Sequence, residues 1–224
     1  MFLEVDNHSV VIFDLDDTLY QELDFLISGY KSIIDKYFKD KTEEIFDQMM
    51  LWYSSNANVF SNLLSFYKAE KNQEEYSTAG LLSTYRNHFP QISLNPGANK
   101  LLEQLELLGC KQGLITDGRS ITQRNKIKAL GIEQKFDLVV ISEEFGSEKP
   151  DPNNFQVFLQ TFPKANKHVY IADNPKKDFV IPNTFGWVTI CLLDRGRNIH
   201  KQNFNLENQF LPQIKVNSLL DIHL

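Results

Sequence analysis

Three carboxylates and a hydroxyl follow a short apolar run: Val10-Val11-Ile12-Phe13 leads directly into Asp14-Leu15-Asp16-Asp17-Thr18. A pair of aspartates spaced by two offers one group to attack an electrophile and one to move a proton. A plainer reading is open at this point, since aspartate is common wherever a strand ends in a turn. A calcium loop of the EF-hand type is excluded, because its sixth and twelfth positions need Gly and Glu and here hold Leu19 and Phe25.

Further groups of the same kind recur down the chain. Gly113-Leu114-Ile115 ends in Thr116-Asp117-Gly118, Lys149 lies in the loop after the apolar run Phe136 to Ile141, and Val169-Tyr170-Ile171-Ala172 ends in Asp173, with Asp178 just beyond. Each has an ordinary explanation by itself: Thr116 as a turn residue or helix cap, Lys149 as a solvated charge, Asp173-Asn174-Pro175 as a turn. Together, in this order, each falls at or just past a predicted strand end or in the loop that follows it. In a parallel sheet those ends share one edge, the edge at which ligands bind in open α/β folds.

Charge argues in the same direction. Asp14, Asp16, Asp173 and Asp178 gathered within about 5 Å would repel by roughly 3 kcal/mol per pair at an effective dielectric near 20. Such a cluster requires cations. Carboxylate oxygens without nearby thiolate or paired imidazole ligands suit Mg²⁺, and Lys149 supplies a second, fixed positive charge.

The elements that must position these groups follow from periodicity. Val10 to Phe13 reads as a strand buried on both faces, and Val188 to Leu193 as a fifth strand. Helices are expected between them, including Ser120 to Leu130 and one containing Phe155, Phe158 and Leu159. The alternation predicts an α/β fold, a Rossmann-like parallel sheet with helices on both faces. From Gln21 to Pro90 only helical patterns appear: one through Phe25, Tyr30, Ile34 and Phe38, then Ile45 to Tyr53, Val59 to Tyr67 and about Glu74 to His88. Residues 1–20 and 91–224 are therefore expected to form an α/β core, and 21–90 an inserted all-helical domain. The tail from Arg195 to Asn208 is polar and irregular, and Ile214 to Ile222 is expected to add a short strand and a final helix.

Length and composition, 224 residues with 42% hydrophobic and 12% aromatic, allow a full core. A net charge of −6 gives no basis for binding nucleic acid or an anionic membrane. Two cysteines, Cys110 and Cys191, make neither a disulfide framework nor a thiolate zinc site. With no signal-peptide pattern and no long apolar window, a cytoplasmic location is expected. The five histidines show no ligand or triad spacing and receive no role.

The four groups in their order resemble the haloacid dehalogenase superfamily. Its first motif is Asp-x-Asp-x-Thr after an apolar strand, its second a Thr or Ser after a strand, its third a Lys and its fourth an acidic pair; Asp14 to Thr18, Thr116, Lys149 and Asp173 to Asp178 match all four. The helical insertion after the first motif resembles that superfamily's first type of cap domain. The resemblance implies that Asp14 is the nucleophile and that Asp16 protonates the leaving oxygen and then activates water. It also implies phosphate binding by Thr116 and Lys149, with Asp117 standing where Asn is common. Mg²⁺ would lie among Asp14, the Asp16 carbonyl, Asp173 and Asp178. Because dehalogenases need no acid two residues after the nucleophile, Asp16 favours phosphate chemistry. The expected activity is a magnesium-dependent phosphatase acting on a small phosphorylated metabolite, a sugar phosphate being preferred. A phosphomutase and a non-catalytic phosphate-binding regulatory protein are the alternatives. Tyr20, Arg86, Arg119, Arg195 and Arg197 are candidates to meet the leaving group.

Overall fold

Ser9–Phe13 form the central strand, β1, and all five residues are buried. A strand with no polar member after Ser9 is stable only when both faces are covered, so it takes the middle of the sheet. The computed structural model describes residues 1–224. After β1 come four helices, α1 (Glu22–Tyr37), α2 (Thr42–Ser54), α3 (Val59–Phe66) and α4 (Thr78–Asn87), and then α5 (Ala98–Leu107). The chain continues through β2 (Lys111–Thr116), α6 (Ser120–Ala129), β3 (Leu138–Ile141), α7 (Ser142–Phe145) and α8 (Asn153–Thr161). It ends with β4 (Lys167–Ala172), α9 (Val180–Thr184), β5 (Val188–Leu192) and β6 (Ile214–Val216).

The chain divides into two compact units, Met1–Leu23 with Ile92–Leu224, and Asp24–Gln91. In the first, six strands form one sheet in the order β3-β2-β1-β4-β5-β6, with every neighbouring pair parallel. Phe13 is in register with Leu114 on one side and Ile171 on the other. This aligns the carboxyl ends of β1, β2 and β4. The chain runs outward from β1 in both directions, through β2 and through β4, which makes the end of β1 the switch point where such sheets hold ligands.

Alternate residues send side chains to opposite faces. On one face Val10, Ile12, Ile115, Tyr170, Ala172 and Cys191 pack with Phe155 and Phe158 of α8. Gly113 belongs there because a β-carbon would stand 2.2 Å from the Phe158 ring. On the other face Gln112 donates to the Leu102 carbonyl of α5 at 3.2 Å. The α/β architecture with helices on both faces is thus observed.

In the second unit α1 buries Phe25, Leu26, Gly29, Tyr30, Ile33, Ile34 and Tyr37, the three- and four-residue spacing of one helical stripe. Tyr85 packs against Phe25 and Phe60 at ring separations of 5.3 and 5.9 Å. A β-carbon on Gly29 would come within 2.4 Å of Tyr85, so the close approach requires glycine. These aromatics are core.

Three boundaries differ from the sequence expectation. The helix expected over Glu74 to His88 is broken: a 3₁₀ turn covers Gln73–Glu75, and α4 starts only after Ser77 caps it by accepting from Gly80 N at 3.2 Å. A serine side chain that satisfies a free helix-end donor competes with continuing the helix through it. The third strand starts at Leu138 rather than Phe136, because Glu133–Lys135 form another 3₁₀ turn. The final helix is one 3₁₀ turn, Leu219–Asp221, closed by a capping box from Ser218 and Asp221. No helix is long and apolar enough to cross a membrane.

Candidate active site at the carboxyl ends of the strands

Asp14 is the first residue past β1, and its amide still donates to the Ile171 carbonyl of β4 at 2.9 Å, which anchors it at the sheet edge. One carboxylate oxygen, Oδ1, accepts from Lys149 Nζ at 2.7 Å, and the same ammonium lies 2.8 Å from Asp178 Oδ1. Lys149 and Asp178 are completely buried side chains. Tyr170, rising from β4, closes the group with its hydroxyl 3.2 Å from Lys149 Nζ. Asp173 adds a third acid: single carboxylate oxygens of Asp14, Asp173 and Asp178 lie within 4.8 Å of one another.

The electrostatics of this cluster are unbalanced. Burial pushes the Asp14 carboxyl up to about 7, with Asp178 adding to the rise and Lys149 opposing it. Asp173 is driven well above the carboxylate range by burial first and then by Asp178 and Asp14. When all three buried acids are ionised, the one buried ammonium they share leaves two negative charges unbalanced. A divalent cation would balance them, and an all-oxygen donor set suits a hard ion. The residues present therefore fit a metal of that kind.

Asp16 stands apart from the acidic trio. Its Oδ1 accepts from Lys126 Nζ at 2.6 Å and from the Tyr20 hydroxyl, and its Oδ2 accepts from Gln123 Nε2 at 2.9 Å. Burial raises its carboxyl, but the Lys126 charge and these donors outweigh it and hold the group below its ordinary value. Asp17 adopts a left-handed conformation, φ 53°, which reverses the chain after Asp16. Its carboxylate accepts from the amides of Glu22 (2.9 Å) and Ile199 (3.1 Å), so the turn is braced from two sides. Thr18 is fully buried, and its hydroxyl has no hydrogen-bond partner.

Thr116, the last residue of β2, is buried and hydrogen-bonded to Gln123 Nε2. Asp117 accepts from the Lys149 amide at 3.0 Å and from Lys177 Nζ at 2.7 Å. Burial would raise its carboxyl, yet Lys149 and Lys177 hold it low. The sequence-predicted residues Asp14, Lys149, Asp173 and Asp178 form one cluster, Asp117 joins it through Lys149, and Asp16 and Thr116 meet through Gln123. Among the candidate leaving-group contacts, Tyr20 reaches Asp16, Arg119 lies 3.6 Å from Glu143, and Arg195 and Arg197 are exposed.

Four contacts were not foreseen: Gln123, Lys126, Lys177 and Asn198, the last donating to Asp173 Oδ2 at 2.9 Å. A signal existed for two of them. α6 has few apolar residues, and its buried positions are Gln123, Lys126 and Ile127. A helix between two strands must bury one face, and polar residues on that face require polar partners.

The sheet and its acidic cluster are those of an α/β enzyme with a carboxylate-based centre. Residues 11–185 match the model of the haloacid dehalogenase-like hydrolase family. Glyceraldehyde 3-phosphate phosphatase of Methanocaldococcus jannaschii is 32% identical over 191 residues, covering 82% of this chain and 84% of that protein. Phosphoserine phosphatase of Thermus thermophilus is 27% identical, covering 84% and 89%. Among solved structures, the HAD hydrolase YfnB of Bacillus subtilis, bound to magnesium, superposes with a TM-score of 0.64 at 16% identity, covering 95% of this chain and 96% of that one. The chain belongs to the haloacid dehalogenase-like hydrolases, and within them it is a phosphatase.

Proposed function

We propose that the chain hydrolyses phosphomonoesters of small metabolites through an aspartyl-phosphate on Asp14, with Mg²⁺ as cofactor. The observation that carries this reading is the buried Asp14 carboxylate, held by Lys149 beside two further acids. Asp14 attacks phosphorus and displaces the ester oxygen, to which Asp16 gives a proton. Water then attacks the aspartyl-phosphate, Asp16 takes its proton, and inorganic phosphate leaves with Asp14 regenerated. Lys149 and Thr116 hold the phosphoryl oxygens, and the Asp117 carboxylate braces the Lys149 backbone beside them.

The Asp14, Asp173 and Asp178 carboxylates and the Asp16 backbone carbonyl would hold the metal. When bound, it neutralises charge on the phosphoryl group and its surroundings. The helical unit 24–91, inserted in the chain between the first acidic turn and α5, is assigned as the family's cap domain. The substrate class is a compact phosphorylated metabolite, a reading supported by relatives named for glyceraldehyde 3-phosphate and phosphoserine.

Phosphate release from a panel that includes those two compounds, with Mg²⁺ and with chelator, tests the reading. Metal-dependent release is expected from the wild type. In Asp14→Asn it should fall by at least about 10³-fold with the melting temperature preserved, because an amide of equal size is a far poorer nucleophile. Activity retained in a folded Asp14→Asn protein would overturn the mechanism. A phosphorylated isomer appearing in place of free phosphate would indicate a mutase.

A further inference from the structure

α6 presents two polar side chains three residues apart on its buried face, and both end on Asp16. Lys126 is 3% exposed and Gln123 is 1% exposed. Lys126 Nζ sits 2.6 Å from Asp16 Oδ1 and Gln123 Nε2 sits 2.9 Å from Oδ2, so each carboxylate oxygen has its own donor. The Gln123 nitrogen also contacts Thr116 Oγ1 and, at 3.1 Å, the Asp117 carbonyl. Lys126 Nζ lies 5.7 Å from the centre of the Tyr20 ring, whose hydroxyl donates to the same Asp16 oxygen. A lysine is rarely buried without a task for its charge, and a single amide that bridges the end of β2 to the turn after β1 fixes the spacing of those two loops.

We propose that Lys126 and Gln123 are positioning residues for proton transfer, a fixed pair on α6 that sets where the Asp16 carboxylate stands relative to the phosphate-binding Thr116. The inference rests on the assignment of Asp16 as the proton-transfer group. Holding a catalytic carboxylate by neighbours that are themselves locked is worth much of its effect, because misplacement of the order of 1 Å can cost about 10²-fold in rate. The hydrogen bond and ion pair of Lys126 at the site go to Asp16, so its contribution to the rate depends on how much the leaving oxygen needs a proton.

That dependence supplies the test. An alkyl phosphate expels a basic alkoxide and requires the proton; p-nitrophenyl phosphate expels a stable phenolate and does not. kcat/KM, which reports phosphoryl transfer to Asp14, is measured for both esters with wild type, Lys126→Met and Lys126→Arg. Lys126→Met is expected to lose on the order of 10²-fold on the alkyl ester and less than about threefold on the aryl ester. Lys126→Arg, which keeps a cation, should recover part of the alkyl-ester loss. If Lys126→Met fails to fold, judged by its melting curve, Lys126→Gln, which keeps a donor, carries the same expectation. Equal losses on the two esters in a folded variant, or none on the alkyl ester, would overturn the inference and leave Lys126 with a structural role. If the wild type releases phosphate from neither ester, the phosphatase mechanism itself fails, and the inference with it.

Discussion

At the scale of single residues, the two lysines bonded to Asp117 have different duties. Lys149 is wholly buried between Asp14 and Asp178 and is driven well above its ordinary value: burial opposes the charge, but the two acids outweigh it. Lys177 is one-third exposed and pairs with Asp117 at 2.7 Å, offsetting that carboxylate. Asp117 therefore costs the site little as it stands. Asp117→Asn is expected to change KM by less than about threefold. Lys177→Ala, which removes the cation paired with Asp117 beside an anionic substrate, should raise KM by at least roughly tenfold, the effect of one unit charge about 12 Å away at an effective dielectric near 20. Steady-state kinetics on the best panel substrate decide the point. Asp14, Asp16 and Asp173 were legible in sequence because each stands at or just past the end of an apolar run, and Lys149 because it lies in the loop that follows one. Lys177 was not, because a lysine in a polar loop looks the same whether it is solvated or paired.

At the scale of elements, the segment after β5 acts as a strap. The sequence shows it only as a polar, irregular tail, and it has no regular structure before the turn at Asn208. Asp194 gathers the amides of Gly196, Arg197 and Asn198 onto one carboxylate oxygen. The tightened loop then delivers Asn198 to Asp173 and the Ile199 amide to Asp17. Gln202 fastens its far end to the carbonyls of Asp173 and Leu192. Both acidic turns are thus held from the same loop. Partners that orient a ligating carboxylate commonly govern metal affinity, at about 10- to 100-fold per contact. Asn198→Ala should raise the Mg²⁺ concentration for half-maximal activity by that factor, with kcat at saturating metal changed far less. Metal titrations of phosphate release would show whether the strap reaches the site.

At the scale of the whole molecule, the buried acids tie stability to pH. The carboxyls of Asp14 and Asp17 rise from 3.8 to about 7 and about 6, and that of Glu22 from 4.5 to about 8, burial being the first cause in each. The folded chain therefore holds protons that the unfolded chain has already released, and its stability falls as pH rises from about 4 towards 8. Without metal, the melting temperature should be higher at pH 5 than at pH 7.5, by about 2–4 °C for each kcal/mol at this size. Metal binding requires the ionised carboxylates, so Mg²⁺ should raise the melting temperature more at pH 7.5 than at pH 5. Equal metal shifts at the two pH values would mean that the acidic trio does not take up the ion.

What the linear chain settled was most of what is written in short windows, element boundaries excepted. Apolar runs marked the strands, three- and four-residue spacing marked the helices, and the order of Asp14, Thr116, Lys149 and Asp173 marked one sheet edge, since parallel strands bring successive carboxyl ends together wherever the intervening helices run. Tertiary structure alone decided which polar side chains answer those acids. Lys126 lies 110 residues from Asp16, and the Ile199 amide lies 182 residues from Asp17; no local pattern encodes such pairings. They arise because burying the helices and straps against the sheet carries their few polar groups inward, where each must find a partner or bear the cost of desolvation.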